Sequence, residues 1–174
     1  MFEVGDYIIY GINGVCRVEA IGNLDVKGIP KDRMFYTLVP IYSKGSKLFT
    51  PTDNEKVIMR RVMNMEEAQA LIDDIRNIET IWIADEKKRE MIYKEALKKC
   101  DGREWVKIIK TLYLKKKLRI SEGKKGIVSD EKYLRMAEDN LYGELAIPLG
   151  MDRAQVEQYI TDRVEHMEAE AELS

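Results

Sequence analysis

The N-terminal fold is decided by residues 7–21, which read YIIYGINGVCRVEAI. Residues 7–10 form a short apolar and aromatic run, and Gly11 and Gly14 bracket a turn. From Val15 onward the chain alternates, which places Cys16, Val18 and Ala20 on one face of a strand and Val15, Arg17 and Glu19 on the other. Two antiparallel strands joined by a tight turn are therefore predicted.

Three further strands are predicted, over residues 34–39, 47–50 and 56–60. Pro40 and Pro51 end the first two of these, because proline cannot donate to a strand ladder. Five short strands within about 55 residues are too few for a sandwich and favour a small, strongly bent β-barrel.

The apolar period changes from strand-like to helical at residue 64. We predict helices over residues 65–75, 78–99, 105–117, 130–146 and from 152 to about 171. Asn64 with Glu67 and Asp101 with Glu104 resemble capping boxes, and Ser129 and Asp152 are further predicted N-caps. The expected fold class is thus α+β, with a β-barrel over residues 1–62 and an all-helical domain over residues 63–174.

Charge is segregated along the 174 residues, although the formal net charge is only −2. Residues 82–135 hold 17 basic and 9 acidic residues, a net of +8, and residues 136–174 hold 2 and 10, a net of −8. A concentrated basic block is typical of a protein that binds a polyanion. The alternative is a solvated helical surface that the acidic C-terminal segment partly neutralises.

Composition argues against several classes of function. The chain has no apolar run of about 18 residues, so no membrane span is expected. The N-terminus carries no signal-peptide pattern, and Cys16 and Cys100 are unclustered, which together predict a cytoplasmic protein. His166 is the single histidine and has carboxylates at helical spacing, for which an acidic surface is favoured over a metal site. We therefore expect no enzyme activity, no cofactor, no metal and no small-molecule substrate.

The two tryptophans have different surroundings. Trp105 is followed by Ile108, Ile109 and Leu112 at helical spacing, which predicts a core residue. Trp82, placed on a helix over residues 78–99, falls beside the expected buried stripe and so near the surface. A surface tryptophan ahead of a basic cluster suits insertion into nucleic acid, whereas the alternative is packing on the neighbouring domain.

The candidate DNA-binding residues are one tryptophan and seven basic side chains in the middle of the chain: Trp82, Lys87, Lys88, Arg89, Lys115, Lys116, Lys124 and Lys125. Lysine dominates over bidentate arginine, which predicts contact with phosphates more than with base edges. For residues 115–119 a second interpretation stays open, because cations at a helix C-terminus also favour the helix dipole.

The opening Phe2-x-Val4-Gly5-Asp6-x-Ile8-Ile9-Tyr10-x-x-x-Gly14-Val15 resembles the start of the CarD/CdnL family of bacterial transcription regulators. The same N-terminal module is similar to the polymerase-interaction domain of transcription-repair coupling factor. Later segments agree in order: the strand end at Pro51, Trp82, the basic middle and the sequence LYGELA at residues 141–146. The resemblance covers about residues 2–147.

The resemblance implies a Tudor-like barrel that binds the β subunit of RNA polymerase, for which Lys27, Lys47 and Phe49 are the candidate residues. It also implies a helical domain on promoter DNA at the upstream edge of the transcription bubble. In the family a tryptophan inserts into the minor groove there, and Trp82 matches its position.

A second hypothesis is a protein–protein adaptor without a direct role at DNA. In it the barrel binds a partner, and the basic face pairs with the acidic tail of another copy. A monomer is expected under the first hypothesis and a dimer under the second, so sizing the protein with and without residues 151–174 separates them.

Overall fold

The computed structural model describes residues 1–173. The chain divides into two compact units, Met1–Val62 and a second that begins at Met63. The first holds the β-strands and the second the α-helices, so the fold class is α+β.

The N-terminal unit is an antiparallel five-stranded sheet. Its strands are β1 (Tyr7–Tyr10), β2 (Val15–Asn23), β3 (Met34–Pro40), β4 (Leu48–Pro51) and β5 (Met59–Arg61). They lie in the order β4-β3-β2-β1-β5. Because β4 and β5 are the two edges and do not pair with each other, the sheet over the described residues is not closed. The expected small, strongly bent β-barrel is therefore not confirmed.

One face of the sheet carries an apolar core of Ile8, Cys16, Val18, Tyr36 and Leu38. The predicted alternation of β2 holds only as far as Val18, because the register shifts between Val18 and Ala20. The extra residue, Glu19, forms a bulge, and a bulge reverses which face the following side chains take. Ala20 is consequently exposed, whereas Ile21 packs against the core, which corrects the assignment of Ala20.

The second unit contains the helices α1 (Met65–Asp74), α2 (Arg89–Lys98), α3 (Gly102–Ser121), α4 (Val128–Leu149) and α5 (Arg153–Leu173). The capping box of α1 is confirmed: the Glu67 N–H donates to Asn64 Oδ1 at 2.8 Å, and the Asn64 N–H donates to Glu67 Oε1 at 3.2 Å. These two bonds satisfy two of the donors that a helix N-terminus leaves free.

The predicted helix over residues 78–99 is wrong in its first half. Residues 79–83 have no regular secondary structure, Glu86–Lys88 form a single 3-10 turn, and α2 begins only at Arg89. Asp85 explains the late start, because its Oδ1 accepts the Lys87 N–H at 3.0 Å and so caps the 3-10 turn. Trp82 therefore lies in a segment without regular secondary structure and not at a helix start.

Two predicted caps also differ. The Ser129 side chain does not cap α4, because the helix begins at Val128 and Ser129 therefore lies inside it. The Ser129 hydroxyl instead accepts a bond from Arg89 Nη2 at 3.2 Å. Asp101 caps α3 by accepting the Arg103 N–H at 2.8 Å. Glu104, however, pairs with Lys99 and Lys107 instead of completing a capping box.

Candidate protein-binding edge and candidate nucleic-acid surface

The outer edge of β4 is a candidate surface for another chain. Phe49 lies in the middle of this strand with 52% of its surface exposed. Edge strands present unpaired backbone groups to which another strand can add.

The register of β4 on β3 shows which backbone groups face outward. Tyr36 pairs with Thr50 and Thr37 with Phe49, and the Thr52 N–H donates to Met34 O at 3.0 Å. In an antiparallel ladder hydrogen-bonded pairs alternate with non-bonded pairs. Counting back from Thr52, the bonded residues of β4 are Thr50 and Leu48, so the N–H and C=O of Phe49 point away from β3.

The other candidate polymerase-binding residues take different positions. Lys47 immediately precedes β4, and its Nζ lies 3.0 Å from Glu19 Oε2. Lys27 is exposed in the connection between β2 and β3, not on β4. Ile12, which is not among the predicted residues, is 82% exposed in the turn between β1 and β2. An apolar residue between Gly11 and Gly14 is the signal in the sequence that could have indicated it.

Trp82 is among the most exposed large apolar side chains of the described residues, with 83% of its surface accessible. Its neighbour Ile81 is half-buried. The predicted surface position of Trp82 is thus confirmed, although the helix from which it was worked out is absent. Trp105 is 1% exposed, which confirms it as a core residue.

Two α3 side chains that the sequence did not single out contact the chain just before Trp82. Thr111 Oγ1 accepts the Ile81 N–H at 2.8 Å and donates to Lys107 O at 2.6 Å. Lys110 Nζ donates to the carbonyls of Ile75, at 2.9 Å, and Ile78.

Two of the candidate DNA-binding residues belong to an ion-pair network inside the helical unit. Lys115 Nζ lies 3.0 Å from Asp130 Oδ2 and 3.2 Å from Glu86 Oε2, and Arg89 Nε lies 3.2 Å from Asp130 Oδ1. Asp130 is only 7% exposed. A buried carboxylate needs such partners, so Arg89 and Lys115 already have a structural role. The pKa of Tyr93 is raised to about 12, mainly by burial and to a smaller extent by the negative charges of Asp130 and Glu86.

The remaining candidate lysines are more accessible. Lys87 and Lys88 are exposed on the 3-10 turn that follows Trp82, and no ion-pair partner is seen for either among residues 1–173. Lys116 pairs with Glu131 at 2.9 Å, and Lys124 pairs with Glu122 at 3.3 Å. Lys125 is exposed, and its carbonyl accepts a bond from Arg119 Nε at 2.9 Å. Among the described residues, the candidate lysines without an ion pair are therefore Lys87 and Lys88, next to Trp82, and Lys125 in the α3–α4 loop.

The segment LYGELA contributes a buried acid. Glu144 is fully buried, and its Oε2 accepts the Met63 N–H at 2.8 Å. Met63 is the first residue of the helical unit. The sequence identified this segment only by resemblance, because the partner of Glu144 lies 81 positions away.

Helix α5 is attached through its first half. Val156 is fully buried, Tyr159 accepts a bond from Gln69 at 2.7 Å, and Arg163 Nε lies 3.0 Å from Asp73 Oδ1. Beyond Arg163 the acidic side chains are exposed, and His166 pairs with Glu170 at 3.0 Å. Within residues 1–173 no cluster of His, Cys, Asp or Glu is arranged to hold a metal. The helices over the same residues include none with the length and apolar character of a membrane span.

Together these features define a small sheet with an accessible edge, followed by a helical unit that presents a tryptophan next to lysines. Residues 2–63 match the family model of the CarD-like/TRCF RID domain. The N-terminal unit is therefore a CarD-like/TRCF RID domain, which is a protein-interaction domain. The helical unit lies outside the match, and no curated protein matches the chain.

Proposed function

We propose that this chain is a transcription regulator that binds the β subunit of RNA polymerase through its N-terminal unit and promoter DNA through its helical unit. Trp82 is the residue that inserts at the upstream edge of the transcription bubble and stabilises the open complex. In this proposal the sheet is a Tudor-like module, bent at the Glu19 bulge of β2.

The observation that carries the proposal is the match of residues 2–63 to the CarD-like/TRCF RID domain. The outward N–H and C=O of Phe49 support polymerase binding by strand addition, because main-chain hydrogen bonds supply affinity in that mode. The exposed Phe49 ring offers a side-chain contact on the same strand.

Trp82 and the neighbouring lysines support the DNA-binding half of the proposal. An apolar wedge between base steps loses a few kcal/mol to unstacking and gains contact with the distorted duplex. An open bubble is already distorted, so the wedge binds it better than closed DNA. Only such differential affinity can shift the equilibrium between closed and open complexes.

Capture of the purified β subunit by the full-length chain tests polymerase binding. Phe49→Ala removes the ring alone, whereas Phe49→Pro also deletes the outward N–H without touching the β3–β4 ladder. We expect capture to weaken with the first variant and further with the second. Ile58→Ala is the control, since Ile58 is 44% exposed just before β5, at the opposite edge. Absence of capture by the unaltered chain contradicts the proposal.

The second candidate is a protein–protein adaptor without contact to DNA. The ion pairs of Arg89, Lys115, Lys116 and Lys124 favour it, because they already neutralise four of the seven candidate basic side chains. Removing residues 151–174 would delete the buried Val156, so the better truncation begins after Arg163. A dimer that this shorter truncation dissociates, with no effect of the protein on transcription, supports the adaptor.

A further inference from the structure

The segment Glu79–Asp85, here called the Trp82 segment, holds an exposed indole on a backbone that has almost no regular structure. Its backbone groups make no helical or strand ladder, so they bond to side chains or to water instead. Trp82 itself is 83% exposed and contributes little packing of its own.

The segment is held at both of its ends. On the N-terminal side, Thr111 accepts the Ile81 N–H at 2.8 Å, and Lys110 binds the carbonyls of Ile75 and Ile78. On the C-terminal side, Asp85 caps the following 3-10 turn, and Glu86 in that turn pairs with Lys115. The contact between Thr111 and Ile81 is one residue from Trp82.

The geometry of Thr111 points to a specific role. Its hydroxyl donates to Lys107 O at 2.6 Å, and the donated proton directs a lone pair toward the Ile81 N–H. The Thr111 side chain is partly buried, and its hydroxyl both donates and accepts a hydrogen bond. Lys110 is less informative in a test, because removing it also deletes a positive charge that DNA could contact directly.

We propose that Thr111 is a positioning residue for Trp82: its hydroxyl fixes the backbone at Ile81 so that the indole is held ready before DNA arrives. A binding loop that is ordered in advance loses less conformational entropy on binding than one that must be ordered then. This inference rests on the proposed function of Trp82 and adds a residue that acts on it without contacting DNA.

The test compares Thr111→Val, which keeps the shape and removes the hydroxyl, with Thr111→Ser, which keeps the hydroxyl. Hydrogen exchange of the Ile81 amide in the free, full-length protein is the first measurement. We expect the Ile81 amide to exchange about two- to tenfold faster in Thr111→Val, because one hydrogen bond is lost. In Thr111→Ser the exchange rate should stay close to that of the original protein. Unchanged exchange in Thr111→Val overturns the inference.

The second measurement is the lifetime of promoter complexes at saturating protein, with Trp82→Ala alongside. A lifetime shortened by Thr111→Val and restored by Thr111→Ser supports the positioning role. If Trp82→Ala shortens the lifetime and Thr111→Val does not, the inference fails while the proposed function stands. If Trp82→Ala has no effect, the proposed function itself fails, whatever the exchange rates show.

Discussion

Lys115 Nζ lies 3.0 Å from the Oδ2 of Asp130, a residue that is 7% exposed. The place of this lysine in a basic cluster predicts a contact with DNA. The contact shows that the same charge neutralises a buried acid between α3 and α4. Net charge along the sequence therefore overstates the charge that faces a polyanion.

Replacing Lys115 by methionine should lower the free energy of unfolding by more than it weakens the free energy of binding to DNA. The change leaves Asp130 with Arg89 as its cation, and losing one charged partner of a buried group costs about 1–3 kcal/mol. Lys124→Met is the matched control, since Lys124 is 60% exposed and its ion pair is with Glu122 in the same loop. Urea titration measures the free energy of unfolding of both variants. Equal stability of the two variants contradicts the structural role of Lys115.

Glu144 should be required for the stability of the helical unit. Glu144→Leu removes the acceptor of the Met63 N–H, and an unsatisfied donor of this kind costs about 1–3 kcal/mol. Glu144→Gln retains an acceptor oxygen and should cost less. Thermal unfolding of both variants checks this order, and a Glu144→Leu protein as stable as the original would show that the contact is dispensable.

Affinity for DNA alone should be weak and should fall steeply with salt, because binding to phosphates releases counterions. Replacing Lys87 and Lys88 together by alanine should reduce the slope of log K against log salt by about 1.8, since each phosphate contact contributes about 0.9. The control is Lys44 and Lys56 replaced together, which removes equal charge from the N-terminal unit. A salt-independent affinity, or the same slope in both double variants, argues against phosphate contact by these two lysines.

Glu138 should make the protein less stable as the pH rises above 4.5, which is the ordinary pKa of a glutamate side chain. Burial raises the pKa of this carboxyl, and Glu157 on α5 and Asp139 add to the rise, while Lys116 and Arg135 oppose it. The folded state therefore holds the proton more tightly than the unfolded state, so stability is lost as the pH rises through the folded-state pKa.

Glu138→Gln should remove this pH dependence and stabilise the protein at neutral pH. Chemical denaturation at several pH values between about 4 and 8 measures it. Asp74 does not obscure the result, because bonds from Asn77 and Arg103 lower its pKa, and its contribution is lost only at more acidic pH. An identical pH profile for the Gln variant and the original protein contradicts the assignment.

Local patterns identified the features that depend on neighbours in sequence. The β1–β2 hairpin follows from residues 7–21, the Asn64–Glu67 box follows from residue type and spacing, and the apolar stripe of Trp105 follows from helical period. The Glu19 bulge had no local signal, because alternation alone cannot show an extra residue.

Long-range partners decided what the sequence missed. Ser129 lies inside α4, which begins at Val128, and its hydroxyl accepts a bond from Arg89. Residues 79–83 are not helical, and Asp85 caps the 3-10 turn that follows them. The roles of Thr111 and Glu144 depend on partners 30 and 81 positions away. The surface position of Trp82 was predicted correctly, but from a helix that does not form at this residue, so the helical geometry does not explain its exposure.

The most direct test of the central claim is the lifetime of an open promoter complex with RNA polymerase at saturating protein, for Trp82→Ala against the original chain. Val128→Ala is the control, because Val128 is 85% exposed on α4, away from the Trp82 segment in sequence. We expect Trp82→Ala to shorten the lifetime by roughly tenfold or more, since each 1.4 kcal/mol of lost stabilisation is a factor of ten, and Val128→Ala to leave it unchanged. A Trp82→Ala protein that sustains the complex as long as the original chain would contradict the account.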